Sequence, residues 1–280
     1  MEFLENLENG STNIKKMGIV KALFVMFLSI LLEVFGQVPE EITDLFSGKY
    51  EKALPYVIFV FGVLVKYYVV IILLKWLSNK EIEQKPRYYL NLASFLNATL
   101  MVIAFRIIFD NSLTLWIGSI SIPNIINEGF NEFRVSSIIS IFSVMIVAPI
   151  YEEIIFRGIL LRGMAKKINP NIAIVVSALL FAIVHINIPQ GINAFFLGLV
   201  LGFIYLKSGS IYLSVFSHFV NNLMALSVSS FFSSIGGKYA IGIHGMYLII
   251  GVIFLVIAFS GHNQNKIKNK SDIYKEFMEI

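Results

Sequence analysis

Two adjacent carboxylates, Glu152 and Glu153, stand with Arg157 inside an apolar run of the chain. A charge at the centre of a bilayer costs at least ~2.5–3.5 kcal/mol on insertion scales, so each such residue is a candidate for function. Residues four apart share a helix face, which lets Glu153 pair with Arg157. Glu152 points about 100° away and is left without that partner. An unpaired carboxylate in apolar surroundings is a candidate proton acceptor. Later apolar runs add His185, one turn after Phe181, and His218, one turn before Asn222. Helical spacing puts each of these pairs on one face. An acid, two imidazoles and an amide can supply the base and the hydrogen-bond donors of a hydrolysis. The competing reading is a buried polar network that glues helices together. Glue rarely needs two histidines and an acidic pair.

The remaining intramembrane charges have plainer readings. Lys21, Lys75 and Lys66 lie near enough to helix ends to snorkel. Glu33 and Arg106 are expected either in structural pairs or close to the interface. His244 and His262 fall at the start and just past the end of the last apolar run, where a solvated or interfacial histidine is expected.

The elements that must position these groups are membrane helices. Of 280 residues, 57% are hydrophobic and 14% charged, against an apolar share of ~45–50% for soluble domains. A helix needs about 20 apolar residues to cross the hydrocarbon. Such runs cover Met17 to Gly36, Pro55 to Leu77 and Tyr88 to Phe109. Further runs cover Val135 to Leu161, Ile172 to Asn187, Gly191 to Leu206, Ile211 to Val228 and Ile241 to Ser260. The expectation is an all-α polytopic bundle of about eight transmembrane helices in three parts. Residues 1–134 form N-terminal membrane helices with an interfacial segment at Asn111 to Glu132. Residues 135–228 carry the catalytic set, and 229–280 hold the last membrane helix and a polar tail.

The first run is a retained anchor, since Glu2, Glu5 and Glu8 stand where a signal peptide has its basic region. The net charge of +4 sits in short interhelical loops, so its role is topological and no nucleic-acid partner is expected. Lys15, Lys16, Lys80, Lys85, Arg87, Arg162, Lys166, Lys167 and Lys207 then fall on one side, with the polar tail's lysines. Lys49, Lys52, Arg134 and Lys238 fall on the other. The positive-inside rule makes both termini cytoplasmic. With zero cysteines, disulfides and thiolate chemistry are excluded.

The run Ala148-Pro149-Ile150-Tyr151-Glu152-Glu153-Ile154-Ile155-Phe156-Arg157-Gly158 resembles the Glu-Glu-x-x-x-Arg motif of the CPBP intramembrane peptidases, the Abi or CAAX protease family, Rce1-like. Phe181-x-x-x-His185 is similar to the second motif of that family, and His218-x-x-x-Asn222 to the third. Phe195 to Ser210 reads like its Gly-x-x-x-Gly helix and small-residue turn, with Gly198 and Gly202 letting helices approach closely. The resemblance covers about Ser136 to Leu226 and implies an intramembrane endopeptidase whose first motif glutamate is catalytic.

On this reading Glu152, helped by His185, deprotonates a water, while His218 and Asn222 hydrogen-bond the oxyanion. Glu153 and Arg157 are supporting, the arginine holding the carboxylate and stiffening the helix. Pro149 is expected to kink that helix, and a kink there would still help to aim Glu152. No cofactor is expected. The alternative is one zinc ion on Glu152, His185 and His218 with the fourth position left to water. Against it, the chain has no His-Glu-x-x-His helix, and Asn222 is a poor zinc ligand. One difficulty is axial: a count of 1.5 Å per residue puts Glu152 roughly 10 Å nearer the cytoplasm than His185. A helix continuing through Gly163 and Lys167 narrows that gap.

The expected partners are the lipid bilayer and a membrane-associated peptide or protein substrate, in a bacterial plasma membrane. Two other functions fit the same charges. One is a transporter, although paired halves with broken helices are missing. The other is a non-catalytic immunity or binding protein, for which the catalytic set would be superfluous.

Overall fold

The computed structural model describes residues 2–35, 53–79, 90–118, 137–186, 188–228, 231–232, 234–235 and 239–278. Most of the expected interfacial segment, from residue 119 on, lies outside them. So do the loops with Lys49, Lys52, Lys80, Lys85, Arg87, Arg134 and Lys238, and the side chain of His262.

The described residues are nearly all helical. In chain order they form α1 (Glu2–Glu8), β1 (Asn13–Ile14), α2 (Ile19–Phe35), α3 (Leu54–Leu77), β2 (Ser78–Asn79), α4 (Leu92–Asp110) and α5 (Leu113–Gly118). Then come α6 (residues 137–165), α7 (Pro170–Ile183), α8 (Ile188–Ser208), α9 (Ile211–Ser227) and α10 (Ala240–Met278). The two short strands pair antiparallel, Asn13 with Asn79 and Ile14 with Ser78, and tie the N-terminal segment to the end of α3.

Four stretches among the described residues are long and apolar enough to cross a membrane: Leu54–Leu77, Leu92–Ile117, Ile188–Ser208 and Ala240–Gly261. The shorter Pro170–Ile183 is apolar as well. The chain is an all-α membrane helix bundle. On α2, Val20, Phe24, Phe27, Leu31 and Val34 are all exposed, at helical spacing along one stripe. On α10, Ile249, Val252, Ile253, Val256 and Ile257 form another such surface. Apolar stripes of this extent are lipid contacts in a membrane protein.

The main core runs from Leu4, Leu7, Ile14 and Met17 through the inner faces of α2 and α3 to Ile154, Ile159, Leu161, Phe181, Leu201 and Ile211. A smaller one joins α4, α8, α9 and α10 through Ala98, Met101, Val102, Ile204, Leu213 and Ala258. Close approach of α7 and α8 depends on glycine. A Cβ on Gly198 would lie 2.9 Å from Ala178 Cα, and one on Gly202 3.1 Å from Ile174, so the small-residue reading of this pair holds.

Helix α6 is continuous but not uniform. Ser143–Val147 and Ile154–Leu161 are π-helical, with α-helical Ala148–Glu153 between them. Wide turns of this kind recur at functional sites. The N–H of Ala148 bonds to Ser143 O instead of Val144 O, and Pro149, the next residue in line, has no N–H to give. The carbonyl of Val144 is therefore released from the helix ladder. Asn222 of α9 takes it up, donating through Nδ2 at 2.8 Å. Pro149 thus frees an acceptor for a neighbouring helix.

Candidate functional site

Glu153 is completely buried and accepts three hydrogen bonds. Arg157 Nη1 donates to Oε1 at 2.7 Å, His218 Nδ1 donates to the same oxygen at 2.8 Å, and Ser214 Oγ donates to Oε2 at 2.5 Å. The arginine pair is the one expected from spacing. The other two donors come from α9, where Ser214 and His218 are one turn apart and present a common face. Ser214 was missed in the sequence, although its position four residues before His218 was the available signal.

With Nδ1 committed to Glu153, the His218 ring presents Nε2 on its far side. That nitrogen lies 3.7 Å from Glu152 Oε2. The imidazole therefore stands between the two glutamates. Their surroundings differ sharply, since the Glu152 side chain keeps 25% exposure and that of Glu153 has none.

His185 caps the end of α7. Its Nδ1 donates to Phe181 O at 2.7 Å, which leaves Nε2 as its open nitrogen. The next residue, Ile186, is left-handed at φ 56°, an uncommon conformation for a β-branched side chain. Phe181 is the hub of the site. His185 and His218 meet its ring edge-on at centroid distances of 4.8 and 5.8 Å, and the Arg157 guanidinium lies 4.7 Å from it. Helix α6 runs on to residue 165. Among the described residues His185 makes no ion contact with Glu152. The imidazole closest to Glu152 is that of His218. Asn222 is held by two bonds, its own to Val144 O and one accepted from Asn221 Nδ2 at 3.1 Å. Its second N–H remains for another acceptor.

Among the described residues no three histidine or acidic side chains gather around a point that a metal ion would fill. A cavity of about 460 Å³ between α1 and α3, lined by Phe3, Tyr67, Lys75 and Ser78 among others, shares no residue with the site.

Two expectations about the other charges are corrected, and the alternative left open for Arg106 is decided. Lys66 does not snorkel: it pairs with Glu33 of α2, and its ammonium sits 4.6 Å from the ring centroid of Tyr151, the residue before Glu152. Lys66 lies midway along a 24-residue helix, about 16 Å from its nearer end, too deep for its side chain to reach water. His244 is buried, not solvated, with Nδ1 2.7 Å from Asn111 Oδ1. Arg106 takes the structural option, bonding Asp110 at 2.8 and 3.0 Å and Asn193 at 3.1 Å.

Fold and site together define an integral membrane helix bundle that buries a carboxylate, imidazole and guanidinium network. Residues 134–224 match the family model described as Rce1-like, the type II CAAX prenyl endopeptidase Rce1-like family. Over this segment the chain is similar to that family. The putative membrane peptidase YdiL of Bacillus subtilis (strain 168) is 34% identical over 77 residues, which are 28% of this chain and 32% of that protein. The chain thus spans about a third of the length of that curated relative. No solved structure matches it.

Proposed function

We propose that this chain is an intramembrane endopeptidase that hydrolyses a peptide bond of a membrane-associated protein or peptide, with Glu152 activating the water. The observation that carries the reading is His218 between two unlike glutamates: oriented by Glu153 at 2.8 Å, it turns its other nitrogen to Glu152 at 3.7 Å. A base, a ring beside it and a buried group that fixes the ring are the recurring parts of activated hydrolysis.

Glu152 takes a proton from water as the water oxygen bonds to the scissile carbonyl carbon. The negative charge passes to the carbonyl oxygen, where the free N–H of Asn222 and, in their doubly protonated form, the Nε2–H groups of His185 and His218 are the available donors. The tetrahedral carbon then expels the amine. Glu152 returns its proton to that nitrogen as the C–N bond breaks. No step needs a metal or other cofactor. Metal analysis of the active protein with chelator titration tests that point.

The membrane in question is a bacterial plasma membrane with both termini cytoplasmic. The similarity to a membrane peptidase of Bacillus subtilis and the lysine-rich end of the bundle support this placement.

Comparative proteomics of cells making wild type or Glu152→Gln tests the function. The expected result is a membrane peptide or protein that accumulates uncut only with the variant. Identical profiles with both proteins, in cells that retain the chain's biological effect, would establish a non-catalytic binding role instead.

A further inference from the structure

The N-terminal segment lies outside the family match, yet it fastens both helices that carry the proposed site. On α6, the N–H of Met17 bonds to Gly163 O at 2.9 Å, and Arg162 Nη1 donates to Leu7 O at 3.1 Å. Lys166 Nζ reaches Asn13 Oδ1 at 2.7 Å and Ile14 O at 2.8 Å. On α9, the Glu8 carboxylate accepts the N–H of Ile211 at 2.7 Å and that of Tyr212 at 3.5 Å. These are first-turn donors, which a helix leaves unpaired. The helix also has its own cap, Ser210 Oγ, which accepts from Leu213 N at 3.1 Å.

Packing follows the same course. Leu7 is buried against Gly158 and Ile211, with its Cδ1 3.3 Å from where a Gly158 Cβ would stand. A Cβ on Gly163 would fall 2.5 Å from Met17 Cε. Glycine at these two places on α6 leaves room for the segment.

We propose that residues 2–17 are a clamp that sets α9 against α6, and that Glu8 is its positioning residue. Glu8 fixes the height and rotation of α9, and so the approach of His218 to Glu152 and Glu153 about 10 Å further along the axis. A catalytic consequence rests on the peptidase reading above. The geometric one does not.

Ser210 supplies the control, because Glu8 and Ser210 cap the same end of the same helix, but only Glu8 joins it to the clamp. The full chain, labelled with nitrogen-15 histidine in lipid nanodiscs, is compared as wild type, Glu8→Ala, Glu8→Asp, Glu8→Gln and Ser210→Ala. The ring N–H resonance of His218, assigned by its loss in His218→Gln, reports the bond to Glu153. The expected result is that Glu8→Ala shifts or abolishes it. Ser210→Ala leaves it in place while lowering the Tm by a similar amount. Glu8→Gln, which keeps an acceptor oxygen, retains it.

Should Glu8→Ala fail to fold, Glu8→Asp, one methylene shorter, is expected to shift the resonance. Cleavage of the peptide that accumulates with Glu152→Gln should fall about 10²-fold in Glu8→Ala, the scale of a 1 Å misplacement. A His218 resonance unmoved by Glu8→Ala, or moved equally by Ser210→Ala, overturns the proposal. If no peptide depends on Glu152, the peptidase reading fails while the resonance comparison still decides the clamp.

Discussion

Glu153→Gln and Glu152→Gln are the same chemical change at neighbouring positions, and the structure assigns them opposite consequences. Glu153 is fully buried, and it is the anion that compensates Arg157, itself 1% exposed. The neutral amide leaves that guanidinium buried without a counter-charge. Removing one partner of a buried pair costs about 3–5 kcal/mol. Three donors also converge on the two oxygens of Glu153, and an amide brings a nitrogen that cannot accept. At about 2–4 °C per kcal/mol for a chain of this size, the Tm of Glu153→Gln should fall by roughly 6–20 °C. Glu152 keeps a quarter of its side chain exposed and makes one 3.7 Å contact, so its loss should cost no more than ~1 kcal/mol. Thermal unfolding in nanodiscs, followed by intrinsic fluorescence, measures both. Replacing the whole pair, Glu153→Leu with Arg157→Met, should recover much of the stability, because no uncompensated charge remains. The reasoning is refuted if Glu153→Gln is as stable as wild type, or if Glu152→Gln is the more damaged of the two.

Two further outcomes follow from the same geometry. Lys66→Met leaves Glu33 without its ammonium deep in the bundle and should lower the Tm, whereas Lys66→Met with Glu33→Leu should be more stable than either single variant. Additive Tm losses in that cycle would show that the two side chains do not interact. Gly198→Val forces a side chain to within 2.9 Å of the Ala178 backbone and 3.5 Å of Phe181. Overpacking of this kind costs about 1–3 kcal/mol. It should also reduce cleavage by displacing the ring on which both imidazoles rest, so a Gly198→Val protein with normal Tm and normal cleavage would contradict the packing.

The sequence by itself determined what lies within one helix. Apolar length specified membrane helices, because a bilayer leaves a helix as the economical way to satisfy the backbone. Four-residue spacing specified the Glu153–Arg157 pair, the common face of Phe181 and His185, and the close approach at Gly198 and Gly202, because helical geometry is local. The cross-helix arrangement was decided only by tertiary structure. That His218 stands between the two glutamates depends on the height and rotation of α9 against α6, as does the third bond from Ser214. No local pattern encodes that register. The pairing of Lys66 with Glu33 and the burial of His244 on Asn111 likewise join groups on separate helices, 33 and 133 residues apart. Pro149 was legible as a break in the ladder, but the widened turns before it, and the recruitment of Asn222 to the carbonyl they release, required the neighbouring helix to be in place. No local pattern in the N-terminal segment points to α6 or α9. Its role as a clamp depends on where α6 and α9 end, which their packing decides.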